Sequence, residues 1–197
     1  MNHRAVVWLD RDGTIVDDPG YLRDPLALRL LPGAGEAVSR LNRAGIAVVL
    51  VTNQSGIARG LLTEQDLRSV HAELRRRLAS SGAHLDAIRH CPHLPDHLLP
   101  DGARPCACRK PRPGMIEAAR DELGVPSDTP QFVVGDKPAD VRLARAAGCR
   151  SVLVLTGEGR TTRRHHDADA DLVVPDVGAA VSHILEQLSL ADGGPSC

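Results

Sequence analysis

Short apolar runs alternate with amphipathic stretches along the chain, and this alternation restricts its fold more than any other feature. The apolar runs cover residues 5–9, 46–51, 85–91, 131–135 and 151–155. Helical periodicity covers residues 34–45, 63–82, 113–124 and 139–148, and residues 171–188 add a final run and helix. Such alternation favours right-handed crossovers and a mainly parallel sheet with helices on both faces. We therefore predict an α/β fold whose strands end at one shared edge, where ligands bind.

Capping residues predict several helix ends. Thr63 occupies an N-cap position with Asp66 at the capping-box distance, and Gly82 closes that helix. Pro113 suits the start of the next helix, and Asp176 is the predicted cap of the C-terminal helix.

The composition is that of one globular domain. Of the 197 residues, 42% are hydrophobic, 25% are charged and 2% are aromatic, and the formal net charge is -1. This balance provides no general attraction to nucleic acid or to a membrane surface. The first apolar run is too short for a signal peptide, and no later run reaches membrane-spanning length. We expect a cytoplasmic monomer with one domain over residues 1–189 and a frayed tail over residues 190–197.

Two carboxylates follow the first apolar run, in the stretch "VVWLDRDGT". Asp10 and Asp12 are two positions apart, and Asp136 follows the "QFVV" run. Each aspartate alone could be a turn former or a helix cap. At the carboxyl edge of a parallel sheet, however, the three would converge and repel one another unless a cation were bound. Because Mg²⁺ prefers hard oxygen ligands in partly hydrated sites, the pattern predicts a magnesium site.

The two lysines of the chain lie close to these motifs. Lys110 and Lys137 are the lysines among 24 basic residues, and Thr52 and Asn53 follow the second apolar run. Separately, they fit surface charges and turn residues. Together at one sheet edge, the ammonium groups fit a bound phosphate whose charge exceeds what the metal cancels.

Residues 91–112 form a proline-rich loop of about twenty residues without periodicity, which is long for an unsupported loop. Three of the five cysteines lie in it, and a histidine accompanies them. The predicted structural zinc ligands are Cys91, His93, Cys106 and Cys108, with His90 and His97 as substitutes. The alternative is a set of free thiols. Of the other cysteines, Cys149 suits a small core position, and Cys197 is a tail thiol.

Four segments, "DRDGT", "VTNQS", "CRKP" and "VGDKPAD", resemble in order the four motifs of the haloacid dehalogenase (HAD) superfamily of phosphohydrolases. They span nearly the whole chain. Within that superfamily, "LDRDGTI", "PGY", "TNQSGIARG", "CPH" and "CRKP" resemble the heptose 1,7-bisphosphate phosphatases, with the histidinol-phosphate phosphatases close beside them. The resemblance implies a Rossmann-like sheet without a large cap domain.

The resemblance also implies roles for single residues. Asp10 would be the nucleophile that forms an aspartyl phosphate, and Asp12 would protonate the departing sugar oxygen and later deprotonate water. Mg²⁺ would be bound by Asp10, by the backbone carbonyl of Asp12 and by Asp136. Thr52 and Lys110 would hold the transferring phosphoryl group.

Substrate recognition is implied at a second set of positions. These are Asp18, Pro19, Gly20, Tyr21, Asn53, Gln54, Ser55, Arg109 and Lys137. Arg109 would bind a second phosphate bidentately, and the zinc ligands beside it would fix its approach together with that of Lys110. Asp140 would orient Lys137 or a metal-bound water.

Three alternatives remain open at this point. A histidinol-phosphate phosphatase would share the chemistry but act on a different alcohol. A receiver-like signalling module also carries a phosphorylated aspartate on a parallel sheet, although the acid two residues later argues against it. A zinc-finger nucleic-acid binder fits "CPH" and "CAC", but the neutral charge and few aromatic residues oppose it.

Overall fold

A computed structural model describes residues 3–164 and 169–192 of the chain. Within them, the strands are β1 (Ala5–Leu9), β2 (Ile46–Asn53), β3 (Ala87–Cys91), β4 (Gln131–Gly135), β5 (Arg150–Val154) and β6 (Leu172–Val174). The α-helices are α1 (Ala34–Arg43), α2 (Glu64–Ala79), α3 (Gly114–Leu123), α4 (Pro138–Ala147), α5 (Gly159–Thr162) and α6 (Val177–Asp192). The strands form one parallel sheet in the order β3-β2-β1-β4-β5-β6. This confirms the predicted α/β fold.

The central strand β1 is buried on both faces, as its uninterrupted apolar sequence requires. Val7 and Leu9 pack into one core with helices α1, α2 and α6. Val6 and Trp8 face the other side of the sheet and pack with α3 and α4. The predicted helices on both faces of the sheet are therefore present.

Two of the predicted helix caps form hydrogen bonds. The Thr63 hydroxyl accepts from the Asp66 amide at 3.1 Å, and the Asp66 carboxylate accepts from the Thr63 amide at 2.8 Å. Helix α2 nevertheless ends at Ala79, before the predicted Gly82. Asp176 Oδ1 accepts from the Ala179 amide at 2.9 Å, and α6 continues from there to Asp192. The rest of the predicted tail, residues 193–197, lies outside the described residues.

The strand register places the chemistry-bearing segments side by side. Leu9 of β1 pairs with Leu50 of β2 and with Val134 of β4. The residues that follow these positions therefore emerge together at the carboxyl edge. Short elements that the apolar pattern did not predict lie near this edge: 3-10 turns at Pro25–Ala27 and Asp96–Leu98, and helix α5. Among the described residues, no helix is long and apolar enough to cross a membrane.

Candidate active site

Three buried carboxylates meet where β1 and β4 end. Asp10 follows β1, Asp136 follows β4, and Asp140 lies one turn into α4. Each offers an oxygen within 4.8 Å of the others, and none is more than 4% exposed. We call these three residues the acidic site.

A buried ammonium group lies against the acidic site. Lys110 Nζ is 2.6 Å from Asp10 Oδ1 and 2.7 Å from Asp140 Oδ1, and it donates to the Val51 carbonyl at 3.0 Å. Burial lowers the pKa of Lys110, but the Asp10 and Asp140 charges outweigh it and raise that pKa above its usual value. Lys110 is therefore a fixed positive charge in contact with the predicted nucleophile.

One ammonium group does not neutralise three carboxylates. Burial, followed by the charges of Asp10 and Asp140, raises the pKa of Asp136 to about 8. Burial also raises the pKa of Asp140, although Lys110 opposes the shift. Closely spaced buried oxygens with surplus negative charge are the donor set that Mg²⁺ prefers, so the residues present fit this ion.

Gly13 lets the loop after β1 pass close to Asp136. Its φ of +83° lies in the left-handed region, and a Cβ at this position would overlap Asp136 Oδ2. The same carboxylate oxygen accepts from the Glu158 amide at 2.8 Å. The close approach to Asp136 thus explains on steric grounds why glycine follows Asp12 in "DRDGT".

The Asp12 carboxylate is not part of the acidic site and is bound by Arg11 and Gln54 instead. Its two oxygens accept from Arg11 Nε at 2.8 Å and Arg11 Nη2 at 2.9 Å, and Oδ2 also accepts from Gln54 Nε2 at 2.8 Å. The group of three carboxylates therefore contains Asp140 in place of Asp12, whose two oxygens are already bound by Arg11 and Gln54. The metal contact predicted for the Asp12 backbone carbonyl stays a prediction.

The sequence motif did not predict a role for Arg11, because the aspartates on either side of it already accounted for a metal and phosphate site. Its guanidinium is fully buried and contacts His71 as well as Asp12. The signal was present in the sequence: an arginine two positions after a strand that is buried on both faces needs a partner. His71 on α2 gave no such signal, since a histidine on a helix face is ordinarily a surface or core residue.

The carboxyl end of β2 fixes the backbone of Lys110. Asn53 Oδ1 accepts from the Lys110 amide at 3.0 Å, and Asn53 Nδ2 donates to the Lys110 carbonyl at 3.2 Å. Thr52 is buried and its hydroxyl accepts from Gln54 Nε2 at 2.8 Å. Asn53 therefore positions Lys110, and Gln54 positions Asp12. Both residues were predicted to contact the substrate, and these hydrogen bonds to other side chains and backbone of the site were not predicted.

A cavity of about 440 Å³ opens outward from the acidic site. Ten of the residues predicted to act on or bind the substrate line it: Asp12, Asp18, Gly20, Tyr21, Asn53, Gln54, Ser55, Arg109, Lys110 and Lys137. Pro19, which was also predicted to bind the substrate, does not line it. Asp10 and Thr52 line a smaller inner recess that shares Asp12 and Lys110 with the cavity.

The outer cations of the cavity have partners of their own. Lys137 Nζ lies 3.1 Å from Asp18 and 3.4 Å from Glu158. Burial lowers the pKa of Lys137, but the charges of Asp10, Asp136 and Asp18 outweigh it and raise that pKa above its usual value. Arg109 Nη1 donates to the His93 carbonyl at 3.0 Å.

Asp140, expected to orient Lys137 or a metal-bound water, contacts the Lys137 backbone and not its ammonium group. Its Oδ2 accepts from the Lys137 backbone amide at 3.0 Å, while its Oδ1 faces Lys110. The reason is its position in the first turn of α4, where a carboxylate caps the free amides of the helix.

The predicted zinc ligands form a compact cluster. Cys91 Sγ lies 3.5 Å from His93 Nδ1, 3.6 Å from Cys106 Sγ and 3.2 Å from Cys108 Sγ. Tetrahedral Zn²⁺ with bonds of about 2.0–2.3 Å separates its ligand atoms by roughly 3.3–3.8 Å, so these separations are close to those that zinc requires. Burial raises the pKa of the Cys91 thiol, and a bound cation would counter this.

The substitute ligands are not part of the described cluster. His90 Nε2 lies 3.2 Å from Glu64, and the described metal-binding groups do not include His97. Cys149 is partly buried against the second core, as expected. Cys197 lies outside the described residues.

Comparison with known proteins agrees with these features. A HAD-hydrolase-like family profile matches residues 107–180. A protein of Pseudomonas aeruginosa named D-glycero-beta-D-manno-heptose-1,7-bisphosphate 7-phosphatase is 39% identical over 93% of this chain and 99% of its own length. A protein of Bordetella bronchiseptica with the same name is 40% identical over 92% of this chain and 98% of its own.

Solved structures give the same picture. The crystal structure of D,D-heptose 1,7-bisphosphate phosphatase from B. bronchiseptica, complexed with magnesium and phosphate, has a TM-score of 0.82 and 38% identity, covering 93% of this chain and 99% of its own. The corresponding phosphatase from Burkholderia thailandensis has a TM-score of 0.67 and 33% identity, covering 92% of this chain and 98% of its own.

Proposed function

The chain belongs to the HAD-like hydrolase family, and on this premise we propose that it is a magnesium-dependent phosphatase that removes the C7 phosphate of D-glycero-β-D-manno-heptose 1,7-bisphosphate. The observation that carries the proposal is the contact of Asp10 with Lys110 Nζ at 2.6 Å, inside a buried group of carboxylates that fits Mg²⁺. The contact orients a carboxylate nucleophile and leaves an ammonium group beside the phosphoryl position.

In the first step, an Asp10 carboxylate oxygen attacks phosphorus in line while the bond from phosphorus to the C7 oxygen breaks. Lys110 and Thr52 hold the phosphoryl oxygens. Asp12 gives a proton to the departing sugar oxygen, and the proton prevents a strongly basic alkoxide from forming. Burial raises the pKa of Asp12 despite the Arg11 charge, which favours the protonated form needed here.

In the second step, Asp12 takes a proton from a water molecule whose oxygen attacks the phosphorus of the aspartyl phosphate. Phosphate leaves and Asp10 is regenerated. Asp10, Asp136 and Asp140 supply the buried oxygens that would hold Mg²⁺. When bound, the ion supplies positive charge that offsets the charge of the transferring phosphoryl group.

The outer cavity favours a substrate with a second phosphate. Arg109 and Lys137 both line it, and both are cations. A phosphate at C1 of the sugar would lie in a positive environment, whereas the amine and imidazole of histidinol phosphate would be repelled. Lys137 is already paired with Asp18, so Arg109 is the stronger candidate for the second phosphate.

A substrate panel tests the assignment. We expect kcat/KM for the heptose bisphosphate to exceed that for histidinol phosphate by at least about 100-fold, since histidinol phosphate lacks the second phosphate and brings a cation against Arg109 and Lys137. Arg109→Met should reduce this preference. A higher kcat/KM for histidinol phosphate would overturn the choice of substrate but not the phosphatase chemistry.

The nucleophile is tested by Asp10→Asn. We expect the variant to fold and to lose turnover by about 10³-fold or more, because an amide cannot form the aspartyl phosphate. Asp17→Asn, an exposed aspartate of the same segment, is the matched control and should retain full activity. Phosphate release by folded Asp10→Asn at the wild-type rate would contradict the mechanism.

We also propose that the enzyme acts in the cytoplasm as a monomer with one domain over residues 1–189. A cluster that needs reduced thiols at Cys91, Cys106 and Cys108 suits a reducing compartment. Light scattering should give the monomer mass of 21.0 kDa at micromolar concentration. Twice that mass would contradict the monomer.

A further inference from the structure

Arg11 is the buried arginine between the two aspartates of "DRDGT", and it holds one of them from behind. Its side chain is 0% exposed. Nε and Nη2 donate to the two oxygens of Asp12 at 2.8 and 2.9 Å. A desolvated guanidinium is strongly unfavourable unless paired, and a bidentate carboxylate is its best partner. The two side chains therefore fix each other's orientation.

His71 supports the guanidinium on the side away from Asp12. Its Nε2 lies 3.3 Å from Arg11 Nη1. Arginine carries only donors, so this contact requires His71 Nε2 to be an acceptor and the imidazole to be neutral. Burial and then the Arg11 charge lower the pKa of His71 to about 3, in agreement with the neutral form. His71 thus orients Arg11 without adding charge.

These contacts leave one free acceptor position on Asp12. A carboxylate has two oxygens with about four lone-pair positions in total. Oδ2 accepts from Arg11 Nη2 and from Gln54 Nε2, whereas Oδ1 accepts from Arg11 Nε alone. The remaining lone pair belongs to Oδ1. A proton on Asp12 is therefore accommodated there without breaking any of the three hydrogen bonds.

We propose that Arg11 is a positioning residue that, with His71 behind it, holds the Asp12 carboxylate so that Oδ1 carries the catalytic proton. This rests on the proposed function, in which Asp12 is the general acid and base. In the first step, Oδ1 gives its proton to the C7 oxygen as the phosphorus–oxygen bond breaks and the Asp10–phosphorus bond forms. In the second, Oδ1 receives a proton from water as the water oxygen bonds to phosphorus and the Asp10–phosphorus bond breaks.

An aryl phosphate separates this role from general damage to the site. The p-nitrophenolate ion leaves without protonation, so formation of the aspartyl phosphate from p-nitrophenyl phosphate does not need Asp12, whereas its hydrolysis does. For Arg11→Met we expect a burst of about one equivalent of p-nitrophenolate at near the wild-type rate, followed by slow turnover. On the heptose bisphosphate, kcat should fall about 100-fold with KM changed less than about threefold.

Arg120→Met is the matched control, since it removes a partly buried arginine that bonds to Gln131 at the far end of β4. We expect this control to leave both the burst and kcat unchanged. If Arg11→Met slows the burst as much as it slows sugar turnover, or slows neither, the positioning role is wrong.

A second pair of variants applies if Arg11→Met does not fold. His71→Gln keeps an acceptor for Arg11 Nη1, whereas His71→Leu removes it. We expect His71→Leu to lower kcat on the sugar about tenfold with the burst retained, and His71→Gln to restore most of that loss. Equal kcat values for the two variants would overturn the proposal. A burst that persists in Asp10→Asn would instead overturn the proposed nucleophile, so the two failures are distinguishable.

Discussion

The acidic site and the Cys/His cluster lie near the same edge of the sheet and both fit a cation, but different parts of the fold hold them. Asp10 and Asp136 directly follow neighbouring strands that are buried in the sheet. Of the Cys/His cluster, Cys91 ends a strand, while His93, Cys106 and Cys108 lie in the connection to α3. That connection has no regular structure besides the 3-10 turn at Asp96–Leu98.

This difference indicates what each metal ion contributes to the stability and chemistry of the protein. Strand pairing and core packing assemble the acidic site. These interactions hold its carboxylates close together, despite their mutual repulsion, before any ion binds. The cluster is assembled from a loop whose ordering costs entropy that few apolar contacts offset, so the metal itself supplies much of its stability. Magnesium should therefore act on chemistry, and zinc on local structure.

The two regions are joined through one short segment. Cys108 is followed directly by Arg109 and Lys110, and Asn53 fixes the Lys110 backbone from the sheet side. Lys110 is therefore held from both regions at once. Substitution of Lys110 is therefore the first test of the difference between the acidic site and the Cys/His cluster.

Lys110→Met should produce the largest effect. The variant removes the ammonium group that contacts Asp10 and Asp140, and kcat should fall by about 10³-fold because the phosphoryl oxygens lose a fixed donor in a buried site. It also leaves the carboxylates without their buried counter-charge, so Mg²⁺ should raise the melting temperature more in the variant than in the wild type. Steady-state kinetics and thermal melting measure the two effects.

Lys137→Met is the matched comparison because it removes the other lysine of the cavity, whose side chain is 31% exposed. We expect it to raise KM with a much smaller loss of kcat, since this group is more exposed than Lys110 and is paired with Asp18 and Glu158 rather than with Asp10. If both variants lost kcat equally, the distinction between an inner chemical site and an outer recognition site would not hold.

Removal of zinc should have a smaller effect on turnover. With Mg²⁺ in excess, we expect a zinc-selective chelator to lower kcat/KM by roughly 10- to 100-fold, because Arg109 and Lys110 lose the support of the cluster. Far-ultraviolet circular dichroism should change little, since the sheet does not depend on the loop. Cys106→Ser should reproduce the loss and Cys149→Ser should not. Unchanged kinetics in zinc-free protein would refute the coupling.

The strands and most helices could be predicted because their signals are local. The apolar run of β1 needs burial on both faces, and the Thr63 and Asp66 pair can satisfy the helix end only as a capping box. The short helix α5 has no such signal, because its four residues are ordered by Asp136, whose carbonyl accepts from the Thr162 hydroxyl. Such a contact between distant residues has no periodicity.

The positions of the site were predictable, but several contacts within it were not. Motif order on a parallel sheet brings Asp10 and Asp136 to one edge whatever their side chains do. Which carboxylate then faces which cation depends on rotamers and on partners far away in the sequence, such as Gln54 for Asp12 and Lys110 for Asp140. Sequence spacing carries no information about these choices.

The smallest expected effect is a pH dependence of stability that arises mainly from Asp136 in the acidic site. The pKa of Asp136 is raised from 3.8 to about 8 by burial and by Asp10 and Asp140. Between these values the folded protein keeps a proton that the unfolded chain has lost. The stabilising contribution is therefore complete below about pH 4 and is lost as pH rises through about 8. His71, whose pKa is lowered, gives the opposite trend, which ends near pH 6.5.

Melting temperatures compared at pH 7 and pH 8.5 without Mg²⁺ isolate this effect. We expect a decrease of about 3 °C in the wild type, and Mg²⁺ should abolish it because the ion binds the ionised carboxylates. Asp136→Asn should be nearly flat over this range. Asp171→Asn is the control: hydrogen bonds from Ser151 lower the pKa of Asp171, so its contribution does not change above neutral pH and the decrease should persist. A decrease of equal size in Asp136→Asn would show that the loss of stability in metal-free protein does not come from ionisation of Asp136. It would also contradict the view that the sheet holds the acidic site together against the repulsion of its carboxylates.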